Sequence, residues 1–171
     1  YQLTAKDIVY RCNAASVKMI CAAEDAALVE AVDAARPDCA PELITSFLGE
    51  NVPAGWRSLR RDLDEAPEDW TRPAGADATT NRDGMLIYFS SGTTGMPKMI
   101  LHDFDYPLGH IVTAKYWQRV EDGGLHLTMA DSGWAKFGWG KIYGQWIAGA
   151  VLVAYDTEKF TPSPPLATME R

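Results

Sequence analysis

Met85-Leu86-Ile87-Tyr88-Phe89-Ser90-Ser91-Gly92-Thr93-Thr94-Gly95-Met96-Pro97-Lys98 is the stretch on which the reading of this chain turns. Met85 to Ser90 has the length and apolar character of a buried strand, and a loop rich in Ser, Thr and Gly follows at once. Gly92 and Gly95 admit backbone conformations and close approaches that a Cβ obstructs. Ser90, Ser91, Thr93 and Thr94 supply hydroxyl donors, and neighbouring backbone N–H groups can form an anion-binding concavity. Lys98 adds a positive charge on a flexible stem, and Pro97 restrains the chain just before it. Ser, Gly and Thr alone would make an ordinary surface turn. Their order after a buried strand predicts a polyphosphate loop. It is not a Walker A loop, because Gly95-Met96-Pro97-Lys98 lacks the adjacent Gly-Lys-Ser/Thr. Gly138-Trp139-Gly140 does not complete a dinucleotide fingerprint either, since Tyr143 holds the third glycine position.

Outward from the loop, strand and helix signals alternate. Upstream, Thr4 and Asp7 have capping-box spacing ahead of a helix carrying Ile8, Cys12 and Ala15 on one face. Val17 to Cys21 reads as a strand. Glu24 and Asp25 favour the N-terminus of a second helix carrying Leu28, Val32 and Ala35, which Pro37 helps stop. Leu43 to Leu48 is the next strand, and Gly55 to Glu65 a shorter helix with Arg57, Arg60 and Arg61 at its centre. Residues 66–83, rich in Pro, Ala, Asp and Thr, read as a linker or long surface loop between segments 1–65 and 84–171.

Downstream, Met99 to His102 is extended. Asp105 is placed to cap a helix through Ile111, Ala114 and Trp117, with Pro107 in its first turn. Leu125 to Met129 is strand-like. Trp134 to Ala148 is helical despite Gly138, Gly140 and Gly144, which cost helix stability and permit close packing or ligand approach. Ala150 to Tyr155 closes the series as a buried strand. This alternation predicts an α/β fold with a predominantly parallel sheet flanked by helices.

Sixteen Lys and Arg against 23 Asp and Glu give a formal charge of −7, which argues against general nucleic-acid binding. Cys12, Cys21 and Cys39 lack zinc-ligand spacing and suit a reducing, cytoplasmic setting as small apolar side chains. The longest apolar run, Ile147 to Tyr155, is too short for a membrane helix.

Tyr88 to Lys98 resembles the signature phosphate loop of adenylate-forming enzymes: acyl-CoA synthetases, luciferases and peptide-synthetase adenylation domains. Met99-Ile100-Leu101-His102, Asp131-Ser132-Gly133-Trp134, Trp146 to Ala150 and Thr4 to Arg11 look especially like medium-chain acyl-CoA synthetases. The resemblance implies two steps. A carboxylate attacks the α-phosphorus of ATP to give an acyl-adenylate and pyrophosphate, and CoA then displaces AMP. It assigns ATP phosphates to Ser90, Ser91, Gly92, Thr93, Thr94, Gly95 and Lys98, with Lys98 in an electrostatic catalytic role. Mg²⁺ is implied as the counter-charge of the polyphosphate, without a carboxylate cage in this stretch.

Trp134 matches an acyl-pocket aromatic of such synthetases and reads equally as a core tryptophan; Gly138 and Trp139 are candidates to shape the same pocket. A structural reading is preferred for His102, and a helix-capping one for Asp131. The adenine-binding, ribose-binding and magnesium-associated motifs and the distant catalytic Lys of these enzymes are not recognisable before Arg171. The chain is therefore expected to be an internal piece that cannot turn over alone. A ligase with a non-CoA acceptor and a noncatalytic nucleotide-binding module are the alternatives.

Overall fold

The computed structural model describes residues 3–90 and 95–155. Two compact units emerge. One comprises residues 1–78 and 89–99, the other residues 79–88 and 100–171.

In the first unit, helix α1 (Ala5–Ala14) begins at a complete capping box. The Asp7 N–H donates to Thr4 Oγ1 at 3.3 Å, and the Thr4 N–H donates to Asp7 Oδ2 at 3.0 Å. Asp thus does the work of the usual Glu. The Thr4 hydrogen bonds hold the Asp7 carboxyl below the usual carboxylate range. Strand β1 (Met19–Ala23) leads to α2 (Ala26–Ala35), where Asp25 Oδ1 accepts from the N–H groups of Ala27 and Leu28 at 2.8 and 3.3 Å. Strand β2 (Ile44–Leu48) pairs parallel with β1 from Met19↔Ile44 to Ala23↔Leu48. The two-residue β3 (Arg57–Ser58) pairs parallel on its other side.

The core gathers Ala22, Val32, Phe47 and Trp56, with Ile8, Ile20, Val29 and Val52 packed around them. Phe47 and Trp56 meet edge to face at 6.3 Å, and Trp56 Nε1 donates to Asp33 Oδ1 at 2.9 Å. The indole therefore buries its apolar body while its one donor is satisfied. Of the three cysteines only Cys12 is buried. Burial pushes its thiol up to about 11, with the neighbouring Cys39 thiol adding to the effect, whereas Cys21 is exposed on β1.

The single helix expected over Gly55 to Glu65 is corrected. Arg57 and Ser58 join the sheet, and helix α3 (Leu59–Asp64) starts only after Ser58, whose Oγ accepts from the Arg61 N–H at 3.2 Å. Pairing with β2 wins over helical periodicity because Ser58 is a natural cap. Arg57 turns to Asp62 at 2.8 Å. Residues 66–83 carry one regular element, a 3₁₀ turn at Gly75–Asp77.

Strands β4 (Gly84–Ser90) and β5 (Lys98–Asp103) form a two-stranded sheet, of which residues 84–88 and 100–103 belong to the second unit. The intervening residues 91–97 are too few for a parallel crossover, so this is a hairpin. Strand β4 is half-buried rather than buried, since a two-stranded sheet covers little of its own surface. Helix α4 (Tyr106–Val112) widens into a π turn at Thr113–Trp117. Asp105 precedes it without a capping bond and instead lies 3.7 Å from Arg82, so the capping expectation fails.

The expected helix over Trp134 to Ala148 exists in three parts: α5 (Ala135–Phe137), a π turn (Gly138–Ile142) and α6 (Tyr143–Ile147). Asp131 does not cap it either. Its Oδ1 accepts from the Gly133 N–H at 2.7 Å, leaving Trp134 at the N-cap. Strands β6 (Leu125–His126) and β7 (Val151–Leu152) pair parallel but are much shorter than the apolar runs containing them. Among the described residues, no helix is long and apolar enough to cross a membrane. The chain is an α/β protein with parallel sheets and helices.

Candidate functional site

The phosphate-loop candidate sits between two strand ends. Ser90 is the last residue of β4 and half-buried, while Lys98 opens β5 and is exposed. Ser91, Gly92, Thr93 and Thr94 lie outside the described residues. Gly95 lacks a positive φ, and a Cβ added there would meet nothing within 4 Å among the described residues. The described residues therefore do not require glycine at that position. Among the described residues Lys98 makes no ion pair, which leaves its ammonium available to an anion.

Two residues outside the motif hold the limbs of the loop. Tyr10 Oη donates to the Pro97 carbonyl at 2.7 Å. The Tyr10 and Phe89 rings meet edge to face at 6.2 Å, and the Arg11 guanidinium lies over the Phe89 ring at 5.3 Å. Arg11 is itself tied to its own helix, donating to the Asp7 carbonyl at 3.2 Å and lying 3.6 Å from the Asp7 carboxylate. The resemblance flagged Thr4 to Arg11 as a segment but gave it no role.

The acyl-pocket candidates belong to the second unit. Trp134 is 70% exposed at the start of α5, so it is no core tryptophan of that unit. Trp139 stacks on His110 at 5.8 Å and 20° and on Trp117 at 6.4 Å and 19°. Gly138 is needed for packing, since a Cβ there would collide with the Tyr88 hydroxyl. Tyr88 also lies edge-on to His102 at 5.5 Å and to Tyr106 at 6.0 Å, and His102 leans on Tyr106 at 4.3 Å. His102 is thus one ring of an aromatic cluster. Burial, reinforced by the Tyr88 hydroxyl, raises the Tyr106 phenol. Burial, with His102 nearby, lowers the His110 imidazole from its ordinary value.

The π turn under Trp139 is held by side-chain amides that sequence reasoning missed. Gln145 is wholly buried; its amide donates to Gln118 Oε1 and, at 3.3 Å, to the Trp139 carbonyl. Gln118 Nε2 donates to the Gly140 carbonyl at 3.0 Å, and His126 Nε2 lies 3.1 Å from the same oxygen. A widened turn lets its carbonyls leave the regular helical ladder, and the two glutamines satisfy them.

Comparison with known proteins places this geometry. A family model described as AMP-binding enzyme matches residues 1–171. Acyl-coenzyme A synthetase ACSM3, mitochondrial, of Homo sapiens is 32% identical over 171 residues, covering 99% of this chain and 28% of that protein. Acyl-coenzyme A synthetase ACSM4, mitochondrial, of Rattus norvegicus is 34% identical over 170 residues, covering 98% and 28%. The chain thus spans less than a third of the curated relatives it matches. Among solved structures, the anthranilate CoA ligase AuaEII in complex with anthranoyl-AMP superposes with a TM-score of 0.76 at 19% identity, covering 91% of this chain and 29% of that one. Brucella canis acyl-CoA synthetase gives 0.75 at 18%, covering 99% and 29%. These likenesses establish the fold as that of the N-terminal portion of adenylate-forming enzymes. With the family match running over every residue of the chain, the loop between β4 and β5 included, the protein belongs to the AMP-binding enzyme family.

Proposed function

We propose that this chain is the phosphate-gripping portion of an acyl-CoA synthetase that activates a carboxylate as its acyl-adenylate and passes the acyl group to CoA. The observation that carries this reading is the loop itself: an exposed Lys98 with no ion pair among the described residues, at the end of a hairpin whose connection is the Ser/Thr/Gly run. Among the described residues nothing packs within 4 Å of a Cβ at Gly95, which is compatible with close approach of a ligand there. The carboxylate oxygen attacks the α-phosphorus, the bond to the bridging oxygen breaks, and pyrophosphate leaves with the electron pair. The loop hydroxyls, backbone N–H groups and Lys98 orient the polyphosphate and offset charge on that leaving group. Among the described residues no three His, Cys, Asp or Glu side chains converge to hold a metal, so Mg²⁺ enters this proposal only with ATP. Carboxylate-dependent ATP–pyrophosphate exchange by the complete enzyme tests the reading; folded enzyme that binds ATP yet shows no exchange across a broad panel of acids would refute it.

The acyl substrate is proposed to be a short, medium-chain or aromatic acid, with Trp134, Gly138 and Trp139 lining its pocket. An exposed indole at Trp134 is free to contact a ligand. Trp134→Ala is expected to change the ranking of acids by kcat/KM by about tenfold, the discrimination a lost apolar contact supports. Identical rankings for folded variant and parent would remove Trp134 from the pocket.

A further inference from the structure

We propose that Tyr10 is a positioning residue of the nucleotide site, latching the C-terminal limb of the phosphate loop to helix α1; this rests on the loop's reading as an ATP-phosphate site. The Tyr10 hydroxyl donates to the Pro97 carbonyl at 2.7 Å. That carbonyl and the Lys98 N–H belong to one planar peptide unit. Holding the carbonyl therefore orients the plane from which the Lys98 side chain departs. Pro97 already has a fixed φ, so little rotational freedom remains at this junction once the bond is made. Phe89, on the other limb, is gripped by the same helix through the Tyr10 edge and the Arg11 guanidinium.

The grip itself is braced. Arg11 is held by Asp7, and Asp7 is locked into the capping box with Thr4. One helix thus restrains the described limbs on both sides of the loop, at Phe89 and at Pro97. Tyr10 touches no reacting atom on this account. It acts by preorganising the Pro97–Lys98 peptide, so its loss weakens ATP binding and leaves the carboxylate site alone.

The test is Tyr10→Phe in the complete enzyme, which keeps the ring on Phe89 and removes the hydroxyl alone. ATP–pyrophosphate exchange should show KM for ATP raised about fivefold, the worth of one hydrogen bond. KM for the carboxylate and kcat at saturating ATP should change less than about twofold, and the thermal midpoint should stay close to that of the parent. Hydrogen exchange at residues 95–98 should accelerate without change in α1. An unchanged KM for ATP overturns the proposal, as does a rise in both KM values together with a lowered thermal midpoint, the mark of a purely structural role. Lys98→Ala run alongside separates the two claims. Loss of exchange in that variant with a parental Tyr10→Phe rejects the latch and keeps the loop; no effect of Lys98→Ala rejects both.

Discussion

Lys98→Ala in the complete enzyme is expected to lower kcat/KM for acyl-adenylate formation by about 100-fold, within the range for removing one preorganised charge-stabilising donor. Lys98 is exposed, opens β5 and has no ion-pair partner among the described residues, so its removal leaves no buried group uncompensated. Stability should therefore move by no more than about 0.5 kcal/mol. Exchange assays at saturating and limiting ATP, with a denaturation curve on the same sample, check both halves. Parental exchange kinetics would take Lys98 out of the mechanism; a large fall in stability would mean that the lysine supports the hairpin instead.

Gly144→Ala is the second large effect, and it reads the fold rather than the loop. A Cβ at Gly144 would run into the His110 carbonyl oxygen, lie 2.6 Å from its carbon and meet Ala114 Cβ at 3.2 Å. Two of these obstacles are backbone, which cannot swing aside like a side chain. Overpacking of this kind costs about 1–3 kcal/mol or more, against a helix-propensity gain of about 1 kcal/mol. We expect a net loss of about 2 kcal/mol. Separation of α4 from α6 would also loosen the stack of His110, Trp139 and Trp117, so acid selectivity should change along with stability. Gly109→Ala is the control. Gly109 lies in α4 with nothing among the described residues within 4 Å of an added Cβ, and its substitution should be neutral or stabilising. Equal denaturation midpoints for the two variants would show that α4 and α6 do not approach so closely.

Local chemistry was legible in the sequence where its partners are neighbours. The Thr4–Asp7 box joins residues within one turn and formed as read, and Asp25, read only as acidic charge at the start of α2, proved to be its cap. The run before the loop formed a strand because its apolar character is continuous, yet it is half-buried, since exposure depends on what packs above it. Periodicity over Gly55 to Glu65 misled because two of those residues are taken up by the edge of β2, an event that the local pattern does not encode. Glycines at 138, 140 and 144 signalled an unusual helix, but not its π turn or the glutamines that fill it. Trp134 reads alike as core or pocket until its exposure is known. For the site, the motif supplied the residues proposed to face phosphate, whereas Tyr10 and Arg11 stayed silent because their partners are far away in the chain.

That distance has a kinetic meaning. The bond from Tyr10 to Pro97 closes a span of 87 residues, whereas β1, α2 and β2 can assemble from one short continuous segment. Closing the longer span costs more chain entropy, so the latch is expected to engage after the sheet has formed. Contacts made late weigh on the rate of opening and hardly on the rate of folding. The grip on the loop can thus be tuned through its release rate, from momentary to long-lived, without slowing the chain's route to its native state.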